Sequence, residues 1–299
     1  MSIQKTTQNR LQALKTEFDT LRKGKESLLA MIDDVEIPES VYNSNAIENS
    51  TLTLKETEKI LLDMEVSRDV SLREVYEAKN LARVIEYIRG KAHSLVIDQE
   101  TILLLHHMLI GAINDDIAGR FRKKGEYVRV GTHIAPAPEH IESMLQGILT
   151  DYSSDLTSFV TDKVAKFHLG FEMLHPFNDG NGRIGRVLMN AQLLKLGFPM
   201  IMIRDKEKQE YYASFRETPS KKTTSTIEKV VSLALMESLH KRLTYLKGET
   251  IVTLSDFTKK QTASAPSLLN AARRQSIPAF REKGVWKIGE SFVFEERKK

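Results

Sequence analysis

The residues best suited to chemistry lie in one run, His175-Pro176-Phe177-Asn178-Asp179-Gly180-Asn181-Gly182-Arg183-Ile184-Gly185-Arg186. Pro176 disfavours helical geometry at His175, and the glycines let the chain turn tightly, so the run reads as a loop feeding the start of a helix. A helix start presents unpaired N–H groups, and its dipole adds to their attraction for anions. Arg183 and Arg186, three residues apart, fall on one side of the opening turn. With one carboxylate and one imidazole this is an apparatus for polyphosphate: N–H groups and arginines for the oxygens, Asp179 for Mg2+, His175 for a proton. Mg2+ suits such a place because it takes one or two carboxylates together with phosphate oxygens. Taken piecemeal the same residues are ordinary, since Gly-Asn-Gly before two arginines is a common surface helix start and a lone histidine is usually structural. The twelve-residue combination is not.

The elements that must hold this loop are mostly helical. Leu11, Leu14, Phe18 and Leu21 form an amphipathic stripe over about 4–31. Pro38 fits the first turn of a short second helix near 39–48. Ser71-x-x-Glu74 is a capping-box pattern, and Asp98 precedes the apolar run Ile102 to Ile110. Further helices are expected over about 138–152, 159–174, 185–196, 207–215 and 225–246. Tyr127 to Gly131 alternates enough for a short strand. After Gly248 two short helices, 254–260 and 267–273, precede Val285 to Ile288 and Phe292 to Phe294, which read as a hairpin turned at Gly289-Glu290.

Composition narrows the class. A chain of 299 residues, 41% hydrophobic and 28% charged, can bury a core of globular type. It contains no cysteine, which removes disulfides, thiolate metal sites and thiol nucleophiles. The N-terminal run lacks the apolar core of a signal peptide and no window has the apolar length of a membrane span, so the expectation is a cytoplasmic protein without membrane contact. The net charge of +4 is too small to imply nucleic acid. Its distribution is uneven: from Ile251 onward ten Lys/Arg face five acids, giving +5 there and −1 before it.

The loop resembles the Fic family signature His-x-Phe-x-(Asp/Glu)-Gly-Asn-Gly-Arg-x-x-Arg, with every fixed position filled by His175, Phe177, Asp179, Gly180, Asn181, Gly182, Arg183 and Arg186. The resemblance implies a mainly α, Fic-type helical domain with a small β-hairpin flap, and a protein adenylyltransferase that moves AMP from Mg-ATP to a Ser, Thr or Tyr hydroxyl. By the same resemblance His175 is the general base and Asp179 the metal ligand. The phosphate-binding set is Gly180, Asn181, Gly182, Arg183, Ile184, Gly185 and Arg186, and Phe177 is a buried anchor. Gly182 favours AMP, because the related phosphotransferring Doc toxins have Lys at that place. Gly119-Arg120-Phe121-Arg122, Val128, Arg129, Val130, Gly131 and Pro136-x-Pro138 resemble the family's flap, whose edge pairs with a target segment. For Tyr211-Tyr212 both nucleotide contact and core packing are open.

Upstream, Ser44-Asn45-Ala46-Ile47-Glu48-Asn49 fits the inhibitory motif (Ser/Thr)-x-x-x-Glu-(Gly/Asn). Ser44 and Glu48 lie on one helix face, and Asn49 tolerates the left-handed geometry of a helix end. By resemblance Glu48 pairs with Arg186 and misdirects the γ-phosphate. The domains expected are 1–65 with the inhibitory helix at about 38–49, a catalytic domain over 66–248, and a small α+β module over 249–299 that resembles a winged helix. A protein substrate, self-modification and a homodimer are the partners considered. De-AMPylation by the same site, or DNA binding through 251–299, are the alternative functions.

Overall fold

The computed structural model describes residues 5–66, 70–130, 133–221, 223–261 and 263–294. The chain forms two compact units, one of residues 37–231 and one of 4–36 with 232–299. The sequence suggested boundaries near 65 and 248; the units instead divide within α2 (Glu26–Ile47) and α10 (Ser225–Leu246). α2 is also longer than expected, because Pro38 lies inside it rather than at its first turn. Proline removes a hydrogen bond to the carbonyl four residues back, and the helix here continues past that loss. The N-terminal stripe is accordingly split: α1 (Lys5–Leu21) ends before Gly24, whose φ of +72° lets the chain turn into α2.

The larger unit is helical. α3 (Leu54–Glu58) opens with a capping box in which Thr53 and Glu56 satisfy each other's amides. α4 (Leu72–Gly90) and α5 (Gln99–Ile110) start at the caps read from sequence, Ser71 and Asp98. α6 (Ile141–Ser154), α7 (Val160–Leu174), α8 (Asn181–Lys195) and α9 (Lys208–Lys221) follow. α8 packs on α7, α4 and α5. Leu81, Ile88, Leu105, Leu109, Phe171, Phe177, Ile184 and Leu188 are almost fully buried in this core. Burial on that scale is worth roughly 1.5–3 kcal/mol per large side chain, so the loop between α7 and α8 hangs from the best-anchored pair of helices. β1 (Arg129–Val130) and β2 (His133–Ile134) form an antiparallel hairpin with Arg129 opposite Ile134 and Val130 opposite His133. Gly131, expected in the first strand, lies outside the described residues.

In the smaller unit α1, residues 26–36 and 232–246 accompany β3 (Ile251–Thr253), α11 (Leu254–Lys259), α12 (Ala265–Arg273), β4 (Phe280–Glu282) and β5 (Val285–Gly289). The strands make an antiparallel sheet in the order β3-β5-β4. The hairpin expected around Gly289-Glu290 is thus misplaced by one strand. Its turn is Lys283-Gly284, with φ of +50° and +77°, the two left-handed residues that a two-residue hairpin turn requires. Leu268, Ala272, Ile277 and Ile288 sit in the core of this segment. Arg242, 1% exposed, pairs with Asp33 and Glu36, and Lys241 with Glu36 and Glu282.

Candidate active site

α7 ends because His175 adopts a left-handed conformation, φ +48°, ahead of Pro176. Its ring Nδ1 lies 3.4 Å from the carbonyl of Glu172. A carbonyl only accepts, so this contact assigns the proton to Nδ1 and the basic lone pair to Nε2. Gly180, φ +81°, then caps α8, which begins at Asn181, four residues earlier than the sequence suggested. The amides of Asn181, Gly182 and Arg183 open the helix and have no carbonyl four residues back within it. They form the end of the loop at which the helix starts.

Several residues expected to touch phosphate are otherwise engaged. Asn181, 2% exposed, accepts from the Phe177 amide at 2.9 Å and donates to the Phe177 carbonyl at 2.8 Å. Its side chain therefore closes the loop, leaving its backbone N–H for an anion. Ile184 is a core residue whose amide bonds Gly180 O at 3.0 Å. Gly185 faces the protein interior, where a Cβ would stand 2.3 Å from Glu172 Oε1 and 2.9 Å from the His168 ring. The resemblance puts both in the phosphate-binding set, whereas the helix turns them inward.

Asp179 accepts from Gly180 N at 2.6 Å and Arg183 Nη2 at 3.2 Å on one oxygen, and from Arg73 Nη2 at 2.5 Å on the other. Burial opposes its charge, yet Arg183 and Arg73 outweigh that and hold the carboxyl below its usual range. Arg183 is buried and also pairs with Glu77 at 3.2 Å. Among the described residues no cluster of three or more His, Asp or Glu could hold a metal by itself. A single carboxylate fits a cation that arrives on a polyphosphate.

Arg186 turns to the other side. Its Nε donates to Ser44 Oγ and its Nη2 to Ser44 O, both at 2.9 Å, and Nη2 also meets Glu48 Oε1 at 2.8 Å. Glu48 lies just past the end of α2. Asn49, φ +66°, follows it, and the bonds Ser50 N to Asn45 O and Asn49 N to Ala46 O make a Schellman motif. The Glu48 carboxylate comes so near the start of α8 that a Cβ on Gly182 would be 2.2 Å from Oε1. A side-chain anion thus sits beside the amides that would receive phosphate. Tyr212 donates to Ile47 O at 2.9 Å, fastening the end of the same helix.

Behind Arg186 lies a buried polar layer that sequence reading missed. Arg186 Nη1 donates weakly to the Tyr211 hydroxyl at 3.4 Å, which leaves the hydroxyl proton for His168 Nε2 at 2.8 Å. Tyr211 is 1% exposed. Burial, aided by Arg186, pushes His168 down to about 3, so it is neutral. Burial pushes the Glu172 carboxyl up to about 8, with Arg186 opposing the rise and Glu48 adding to it. The folded protein then keeps a proton that the unfolded chain releases near 4.5, and stability falls as pH rises from about 4.5 to about 8. Glu172→Gln is expected to flatten that decline, gaining on the order of 2–4 kcal/mol above pH 8. Urea denaturation at pH 5, 7 and 9 measures it; an unchanged pH slope would show that the carboxyl ionises in the folded state.

Two more residues shape the loop from outside. His106 stacks on Phe177 at 3.6 Å and 3°. Gly119 N donates to its Nδ1 at 3.0 Å, so Nε2 carries the proton and donates to Asp179 O at 3.0 Å. Burial holds it neutral, down to about 4. Arg122, 3% exposed, donates to His175 O at 2.8 Å, Glu126 O at 2.9 Å and Pro136 O at 3.0 Å. It ties both stems of the hairpin to the residue that ends α7. Arg122→Met is expected to cost about 3 kcal/mol in urea denaturation, because buried carbonyls lose their donor. A loss below about 0.5 kcal/mol would mean that water replaces the guanidinium.

One helical unit thus brings an imidazole, a carboxylate and a glycine-opened helix start together. Residues 96–193 match the Fic/DOC family model. The chain is 33% identical over 179 residues to protein adenylyltransferase Fic of Nematostella vectensis, covering 58% of this chain and 41% of that protein. It is 30% identical over 215 residues to protein adenylyltransferase Fic of Drosophila persimilis, covering 70% and 42%. The chain thus spans about two fifths of the length of these relatives. A Fic domain containing signaling protein from Bacteroides thetaiotaomicron superposes with a TM-score of 0.72 at 26% identity, covering 80% of this chain and 97% of that one. Fic-1 of C. elegans, residues 134–508, gives 0.67 at 26%, covering 80% and 70%. Residues 96–193 are thus the part of the chain that resembles the Fic/DOC family.

Proposed function

We propose that the protein is an adenylyltransferase that moves AMP from Mg-ATP onto a Ser, Thr or Tyr hydroxyl of a target protein, and that Glu48 holds it in a weakly active form. The observation that carries this reading is the complete loop 175–186 opening α8 with its first amides bare and the lone pair of His175 on Nε2. In this reaction the target hydroxyl attacks the α-phosphorus, its proton passes to His175 Nε2, and the bond to pyrophosphate breaks. The amides of Asn181, Gly182 and Arg183 would take phosphate oxygens, and Asp179 would hold the magnesium carried by the nucleotide. Arg186, once released from Glu48, fixes the γ-phosphate. The exposed stems around Arg129 and Ile134 would pair a target strand backbone to backbone. Relatives named protein adenylyltransferase support the same chemistry.

The test is labelling with ATP carrying the isotope on the α- or the γ-phosphate, with cell lysate as acceptor. Protein-bound label from α alone, abolished by EDTA, is expected; label from γ alone would mean phosphate transfer instead. De-AMPylation is a second use of the same site, with the Glu48 carboxylate, about a third exposed, placing a water. Release of AMP from a modified acceptor would reveal it. For residues 249–299, a strand, two helices and a hairpin that form a sheet in the order β3-β5-β4 support a winged-helix-like reading with DNA as partner, and Arg273 and Arg274 at the end of α12 are exposed. Salt-sensitive duplex binding tests it.

A further inference from the structure

The first turn of α4 reaches the loop from a part of the chain that the Fic signature does not include. Ser71 caps this helix, so Arg73 leaves its opening turn. Arg73 Nη2 donates to Asp179 Oδ2 at 2.5 Å and its Nε to Glu77 Oε1 at 3.1 Å. Arg183 reaches the same two acids, Asp179 Oδ1 and Glu77 Oε1, each at 3.2 Å. Charge alternates around a ring of Arg73, Asp179, Arg183 and Glu77. The two arginines differ in one respect that decides their roles: the Arg183 side chain is 3% exposed and that of Arg73 57%.

We propose that Arg73 is a displaceable counterion that occupies the Asp179 oxygen on which the nucleotide's magnesium must bind, and so sets how much metal the site requires. This rests on the nucleotidyl-transfer reading above. Asp179 Oδ1 is committed to the Gly180 amide and to the buried Arg183, whereas Oδ2 faces Arg73 at the surface. Mg2+ demands close octahedral contact with its carboxylate oxygen, a place that a guanidinium already at hydrogen-bond distance must leave. Arg73 can leave without becoming an isolated charge, because Glu77 still holds its Nε. The competition is electrostatic and lies at the surface, so salt screens it.

The experiment measures binding of a non-transferable ATP analogue to the full chain in the Glu48→Gly background while Mg2+ is titrated. Arg73→Gln is expected to lower the half-saturating Mg2+ concentration about tenfold at low ionic strength, with the difference shrinking at high salt. Arg73→Lys keeps the charge and should stay near the parent. An Arg73→Gln protein that needs as much Mg2+ as its parent, or more, overturns the proposal and makes Arg73 a support for Asp179. If no form binds the analogue at any Mg2+ concentration, the nucleotide reading itself falls and takes this inference with it.

Discussion

Glu48→Gly is expected to raise self-AMPylation about tenfold or more over wild type. On the proposed reading the carboxylate would compete with phosphate at two places: it pairs with Arg186 at 2.8 Å and it lies against Gly182 at the start of α8. Each 1.4 kcal/mol of differential binding is about tenfold in rate, and loss of one partly exposed charge pair can supply that. Ser44 keeps its two bonds to Arg186 in the variant, so the guanidinium remains oriented when the carboxylate is gone. Adding Arg186→Ala should cancel the gain, since the γ-phosphate then has no partner to fix it. Unchanged transfer in Glu48→Gly, with His175 still essential, would make the end of α2 structural and move regulation elsewhere.

His175→Ala should abolish transfer to target and to self while nucleotide binding survives. Hydroxyls are poor nucleophiles at neutral pH, and a positioned base is worth about 10²–10⁴-fold. The ring is held for that task by its left-handed backbone, by the Glu172 carbonyl on Nδ1 and by Arg122 on its own carbonyl. On the proposed reading the phosphate contacts would belong to other residues, so calorimetric affinity for an ATP analogue should change little. Transfer persisting in the alanine variant would rule out His175 as the base that takes the hydroxyl proton.

Much of this was legible in sequence wherever the cause is local. Ser71 and Asp98 cap the helices that follow them, α10 keeps both expected ends, and Asn49 takes the left-handed place for which its type is suited. Pro176 and the glycines of 175–186 pointed to a loop feeding a helix start, which lies at Asn181. What could not be read are partnerships across long stretches of chain. Nothing periodic links Arg73 to Asp179, Arg122 to His175, or His106 to Asp179, and a histidine on an apolar helix gives no sign of which carbonyl it will meet. Glu172 and His168 look like ordinary helix residues until α8 packs over them with Gly185 at the contact. α2 continues through Pro38 because tertiary packing overrides propensity, and Lys283-Gly284 hid a hairpin turn because lysine seldom takes a positive φ.

Gly182 gives the site a further property. The space that a Cβ would need there is the space that Glu48 Oε1 fills, 2.2 Å from the ideal Cβ position. Any larger residue at 182 must evict the carboxylate and, in the same stroke, crowd the helix start where an anion would settle. On the proposed reading, restraint and substrate geometry would therefore be pleiotropic at one codon: drift at position 182 could not unlock the protein without also changing what the lock guards.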